Sequence, residues 1–120
     1  MYWKDLEVLK KSHKLVLQIY GVIVKFPVSE KYALSDQLKR AAYSVPANIV
    51  EGHSRHTSKE FIKFLYQARG SLEELRYFFI LAKDLNYITQ AIYDDLEGKS
   101  TIISKMLNSL IGSMKRKLTP

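Results

Sequence analysis

QLKRAAYSVPANIVEGHSR, residues 37–55, is the stretch on which the fold turns. Leu38, Ala41, Val45 and Ile49 recur every three or four positions, which gives a helix one apolar face. Pro46 lies inside that pattern, among the small residues Ala41, Ala42, Ser44 and Ala47. A proline removes one backbone donor and crowds the carbonyl four residues back, so a kink is expected there. The small residues let a neighbouring helix come close. Ser35 fits an N-cap, with Asp36 in the first turn, and Gly52 fits a C′ stop. The spacing therefore predicts a helix from about Leu34 or Ser35 to Val50.

Upstream, a helix is expected from about Trp3 to Phe26. Leu6, Leu9, His13, Val16, Tyr20 and Ile23 are spaced as a seam, and Leu15, Leu17, Ile19, Val22 and Val24 make its second half apolar on further faces. So wide an apolar surface implies a second packing partner, and in a small protein a second subunit would serve. Pro27 ends this helix, because its ring disfavours helical geometry at the residue before. Downstream, Thr57 and Glu60 form a capping box. Phe61, Leu65, Ala68, Leu72, Leu75, Phe79 and Ala82 then mark a third helix to about Leu85. Asn86 and Tyr87 turn the chain, and Thr89 caps a fourth helix to about Lys115. Its stripe is Ile92, Leu96, Ile103, Met106, Leu110 and Met114. Short connections between long helices predict an all-α, antiparallel up-down four-helix bundle, with residues 1–120 as one domain.

Composition narrows the function. With 47% hydrophobic residues the chain can build a core, and with no cysteine it has neither disulfides nor thiolate metal ligands. The N-terminal segment is charged and amphipathic, unlike a signal peptide, and no apolar run approaches the roughly 20 residues of a membrane span. A soluble, cytoplasmic protein with no membrane partner is expected. The net charge is +7. Residues 1–69 carry twelve Lys/Arg against six Asp/Glu, whereas residues 70–120 carry seven against six, so the excess lies in the first part.

Catalytic chemistry is not in evidence. His13, His53 and His56 lack the spacing of a metal site, and His13 falls on the first helix's seam, as a core or interface histidine would. The acidic pairs Glu73-Glu74 and Asp94-Asp95 are adjacent on helices and point apart. No nucleophile elbow or phosphate loop occurs. No catalytic residue, metal or cofactor is therefore expected. Tyr2 and Trp3 fit a clamp on the end of the bundle better than a platform for bases. The basic residues remain. Lys39, Arg40, Arg55, Lys59 and Lys63, and after them Lys10, Lys11 and Lys14, are the candidates for contacts to phosphates. By charge alone a solvated bundle face accounts for them equally well.

The stretch from Gln37 to Leu75, QLKRAAYSVPANIVEGHSRHTSKEFIKFLYQARGSLEEL, resembles the signature of a protein family encoded in intervening sequences of bacterial large-subunit ribosomal RNA genes. Gln37-Leu38, Arg40-Ala41, Ser44, Pro46, Asn48-Ile49, Glu51-Gly52, Arg55, Ser58, Glu60-Phe61, Phe64-Leu65, Ala68, Gly70-Ser71-Leu72 and Glu74-Leu75 carry the match, while Lys39, Val45 and Val50 depart mildly. The resemblance extends to the segments at 19–27 and 106–111. It implies a homopentamer of four-helix bundles without enzymatic activity. It also implies kinship with the accessory variability protein of diversity-generating retroelements, which binds nucleic acid and a reverse transcriptase. On this basis Pro46, Asn48, Glu51, Gly52, Gly70, Ser71 and Glu74 are expected to be architectural. Asn48, Glu51, Arg55, Ser71 and Glu74 would share one hydrogen-bonded network, and Gly70 would admit the kinked second helix. The expected function is binding of nucleic acid, RNA rather than DNA. The alternative is a protein-binding scaffold such as a reverse-transcriptase accessory protein.

Overall fold

The computed structural model describes residues 2–118. Four helices account for most of them: α1, Glu7–Ile23; α2, Leu34–His53; α3, Ser58–Asp84; and α4, Gln90–Leu118. Single 3₁₀ turns at Trp3–Asp5 and Val28–Glu30 precede α1 and α2, and there is no strand among the described residues. The molecule measures 52 × 24 × 20 Å, a length close to that of its longest helix plus a turn at either end.

The α3 stripe read from the sequence is the centre of the core. Phe61, Leu65, Ala68, Leu72, Leu75, Phe79 and Ala82 are all buried, as are Leu38, Ala41, Val45 and Ile49 of α2. Contacts between neighbouring helices run in opposite numerical senses. Gly52 meets Phe61 and Phe64, while Ser44 meets Ser71 farther along. Likewise Arg69 reaches Asn108 and Arg76 reaches Glu97. The tight α3–α4 connection is made by Asn86, whose φ of 63° is left-handed. Its N–H donates to the Lys83 carbonyl and that of Tyr87 to Ala82, so the last carbonyls of α3 are satisfied. Thr57 Oγ accepts from the Glu60 N–H at 3.1 Å, and Thr89 Oγ from the Ile92 N–H at 3.2 Å, as the capping patterns predict.

The α1 seam differs from the expected one. Val8, Leu9, Ser12, Leu15, Ile19 and Ile23 face the core, whereas His13 and Tyr20 are exposed. His13 is thus a surface residue, not a core one. The expected frame failed because α1 is apolar on several faces, and because a buried serine misleads: Ser12 Oγ donates to the Val8 carbonyl at 2.6 Å and needs no water. Ser100 does the same on α4, donating to Leu96, so that seam runs through Leu96, Ser100, Ile103, Leu107, Ile111 and Met114. Ile92, Met106 and Leu110 lie at its half-buried edge.

Two glycines also change roles. α2 continues through Pro46 and past Gly52 to His53, and Gly52 has no left-handed φ, so it is not a C′ stop. A Cβ at Gly52 would lie 2.6 Å from Phe64 Cβ and 2.9 Å from Phe61 Cδ1. Gly52 is the point of close approach between α2 and α3. Gly70 is not: a Cβ there would meet nothing within 4 Å. Ser35 is buried in the first turn rather than capping it, and the Leu34 N–H turns to the Glu30 carboxylate instead, at 3.4 Å.

Candidate nucleic-acid interface

The structure separates the basic residues into groups. Lys39 and Arg40 lie in the first two turns of α2, and Arg55 lies beyond its end, some fifteen residues or roughly 20 Å along the helix. Lys59 and Lys63 open α3, next to Arg55 in the chain. Lys10, Lys11 and Lys14 stand on α1. No single face holds all eight.

Partners sort them further. Arg40 Nε donates to Asp36 at 3.0 Å, and that hydrogen bond, with the carboxylate's charge, holds the guanidinium above its usual pKa. Arg55 pairs with Glu51 and stacks on the Phe64 ring at 4.9 Å, as an anchored structural cation. Lys39 stands 5.6 Å above the Tyr20 ring, joining α2 to α1. Lys10 pairs with Glu7 at 3.4 Å. Lys11, Lys14, Lys59 and Lys63 have no ion-pair or hydrogen-bond partner among the described residues.

Lys59 and Lys63 border a shallow groove of about 650 Å³, lined also by Glu60, Ile62, Tyr66 and Gln67. They lie one turn apart, so their ammonium groups stand on one side of α3. Tyr66 follows at the next turn, with the Arg69 guanidinium 4.7 Å from its ring centre and the Lys115 ammonium, from α4, 5.1 Å away. Arg69 is held in place by donating to Asn108 at 3.0 Å. Two cations thus line the groove and two flank the aromatic ring, with Glu60 the single carboxylate among the groove's lining residues. Tyr66, Arg69 and Lys115 were not among the sequence candidates. Lys115 comes from a helix fifty residues away, and its convergence on Tyr66 depends on how α3 and α4 pack.

Lys11 and Lys14 border a second, smaller groove of about 160 Å³ between α1 and α4, floored by Leu15, Ile102 and Ile103. Its third lysine, Lys99, is held by Gln18 at 2.7 Å and by Asp95 at 3.1 Å. Gln18 also donates to Asp95, and that bond, followed by Lys99, holds the Asp95 carboxyl below its ordinary value.

The expected polar network is divided. Ser44 is its hub: Asn48 Nδ2 donates to the Ser44 carbonyl at 2.8 Å and hydroxyl at 3.0 Å, and the Ser71 hydroxyl donates to Ser44 Oγ at 2.9 Å. Glu51 and Arg55 form a separate exposed pair, and Glu74 is exposed on the outer face of α3. Among the described residues the ion pair that ties two helices is Arg76 with Glu97, supported by Glu73, and it raises the Arg76 pKa. Trp3 packs against the core, and Tyr2 lies outside it, with Lys4 5.6 Å from each ring.

Among the described residues there is no group of three His, Asp or Glu placed to hold a metal ion. No helix among them is long and apolar enough to cross a membrane.

The model of the 23S rRNA-intervening sequence protein family matches residues 4–109. A crystal structure from Bacteroides thetaiotaomicron VPI-5482, described as a protein with unknown function from the S23 ribosomal protein family, superposes with a TM-score of 0.78 at 30% identity. The match covers 87% of this chain and 97% of that one. No curated protein matches the chain.

Proposed function

The chain belongs to the 23S rRNA-intervening sequence protein family, and we propose from this premise that it is a non-enzymatic, nucleic-acid-binding homo-oligomer that takes RNA in preference to DNA. The observation that carries the reading is the groove at Tyr66. Two unpartnered lysines, Lys59 and Lys63, stand there beside an aromatic ring flanked by Arg69 and Lys115. Cations at this spacing neutralise successive phosphates without reading sequence. The opposed helix contacts support an antiparallel up-down bundle. The outer face of α1 supports self-association, for Leu17, Tyr20 and Val24 are 60%, 40% and 80% exposed on one side of the helix, and the resemblance implies that the assembly is a homopentamer. Repetition of the groove around a ring would make a modest patch avid. A cytoplasmic location suits a chain of this composition.

The same apolar face favours a second reading, a scaffold that docks a protein such as a reverse transcriptase. The two readings part in one titration. Fluorescence anisotropy against a structured ribosomal RNA fragment is expected to show binding that weakens steeply with salt. Lys59→Ala with Lys63→Ala should lower the slope of log affinity on log salt by about 2, one for each phosphate contact removed. No binding at low salt, or an unchanged slope, rules out the Tyr66 groove and moves the scaffold reading ahead.

A further inference from the structure

Around the end of α3 from the Tyr66 groove lies a cleft of about 450 Å³, within the roughly 300–1,000 Å³ of small-molecule sites. We infer that this cleft receives one unpaired nucleotide of a bound single strand. The inference rests on the nucleic-acid reading above and deepens it. Three features favour this occupant. The rim is basic and polar: Arg55, His56, Ser58 and Lys117 line it, and no carboxylate does. Glu51 takes only part of the Arg55 fork, since a guanidinium has five donors and Phe64 holds its plane. Lys117 has no partner among the described residues.

The floor, by contrast, is apolar, formed by Phe61 and Met114 among others. His53 stands edge-on to the Phe61 ring at 5.5 Å, an arrangement that fixes the imidazole at the wall. A flat heterocycle suits such a floor and imidazole wall, and a phosphate suits the rim. The cleft is also placed at the end of a phosphate track. Lys63, Lys59 and Ser58 follow one another back along α3 to its mouth, and α4 contributes Lys115 beside the Tyr66 ring and Lys117 to the cleft. A duplex cannot turn a base into it without unpairing, so the cleft selects single strands.

The chain has three histidines, and the third, His13, is on the surface of α1 outside the cleft. Proton NMR of the imidazoles in the intact protein, titrated with AMP and separately with inorganic phosphate, reads the cleft directly. AMP should shift His53 and His56 more than phosphate does and leave His13 in place. Anisotropy should show a single-stranded RNA bound more tightly than the duplex of the same sequence. His56→Ala with Lys117→Ala, both exposed positions on the rim, should weaken the single strand about tenfold, the lower end for lost hydrogen bonds to a charged group, and the duplex, which places no nucleotide in the cleft, by less. Equal shifts of all three histidines, no shift at all, or equal losses on both strands would overturn the inference while leaving the Tyr66 groove standing. If the wild type binds neither strand, both fall together.

Discussion

Replacing Gly52 by alanine tests the account of how α2 and α3 meet. The added Cβ would sit 2.6 Å from Phe64 Cβ, 2.9 Å from Phe61 Cδ1 and 3.3 Å from the Phe61 carbonyl oxygen. Carbon atoms pack at about 3.5–4.0 Å, so the first contact is short by roughly 1 Å. The Phe61 ring has some freedom to swing, but Phe64 Cβ is fixed to the α3 backbone and the Phe61 oxygen is itself backbone. The helices must therefore separate. Overpacking of this kind costs about 1–3 kcal/mol, and an overlap with backbone-fixed atoms belongs at the upper end. Alanine returns about 1 kcal/mol over glycine as a helix former. A net loss of about 2 kcal/mol follows, or roughly 8 °C in Tm for a chain of this size. Thermal and urea unfolding followed by circular dichroism measure it. Gly70→Ala is the matched control, since its Cβ would meet nothing within 4 Å. It should stabilise the isolated chain by up to about 1 kcal/mol. A Gly52→Ala protein as stable as the wild type would refute the close approach. The same loss at both positions would mean that the contact with Phe61 and Phe64 is not its cause, since Gly70 has no such neighbour.

Two further outcomes are expected. Asp95 is held below its ordinary pKa of 3.8 by Gln18 first and Lys99 second, so its contribution is present above that value and lost as the pH falls through the lower folded one. Asp95→Asn should flatten the acid limb of the stability curve in urea titrations from pH 5 to pH 2 and leave the neutral limb's shape unchanged; an identical acid limb would remove Asp95 from the account. Leu17→Lys with Val24→Lys, both exposed in the single chain, should change its stability by no more than about 0.5 kcal/mol yet abolish self-association in sedimentation; an unchanged oligomer would clear this face of α1.

The sequence revealed most where one face of a helix is apolar and the others are polar. The α3 stripe from Phe61 to Ala82 is legible for that reason, and so are the hydroxyl caps, which depend on neighbours three residues away. α1 is ambiguous in sequence because its apolar residues fit two adjacent frames, and only the other helices choose between them. The glycines show the same boundary. Whether Gly52 serves backbone conformation or close approach depends on Phe61 and Phe64, which a local reading does not bring beside it. Seven of the eight basic candidates are exposed, and Lys39 is half-buried. Their sorting was hidden, because Asp36, Glu51 and Glu7 neutralise three of them locally, while Lys115 reaches Tyr66, beside Arg69, only through the packing of α3 and α4.

The close approach at Gly52 also bears on the order of folding. Phe61 is only nine residues away along the chain, and the turn between the two helices is four residues long, so this contact closes a very short loop. Loops of that length close in tens of nanoseconds, far sooner than α1 can find α4. The α2–α3 hairpin is therefore the natural nucleus, and the rest of the molecule condenses onto a pair already in register.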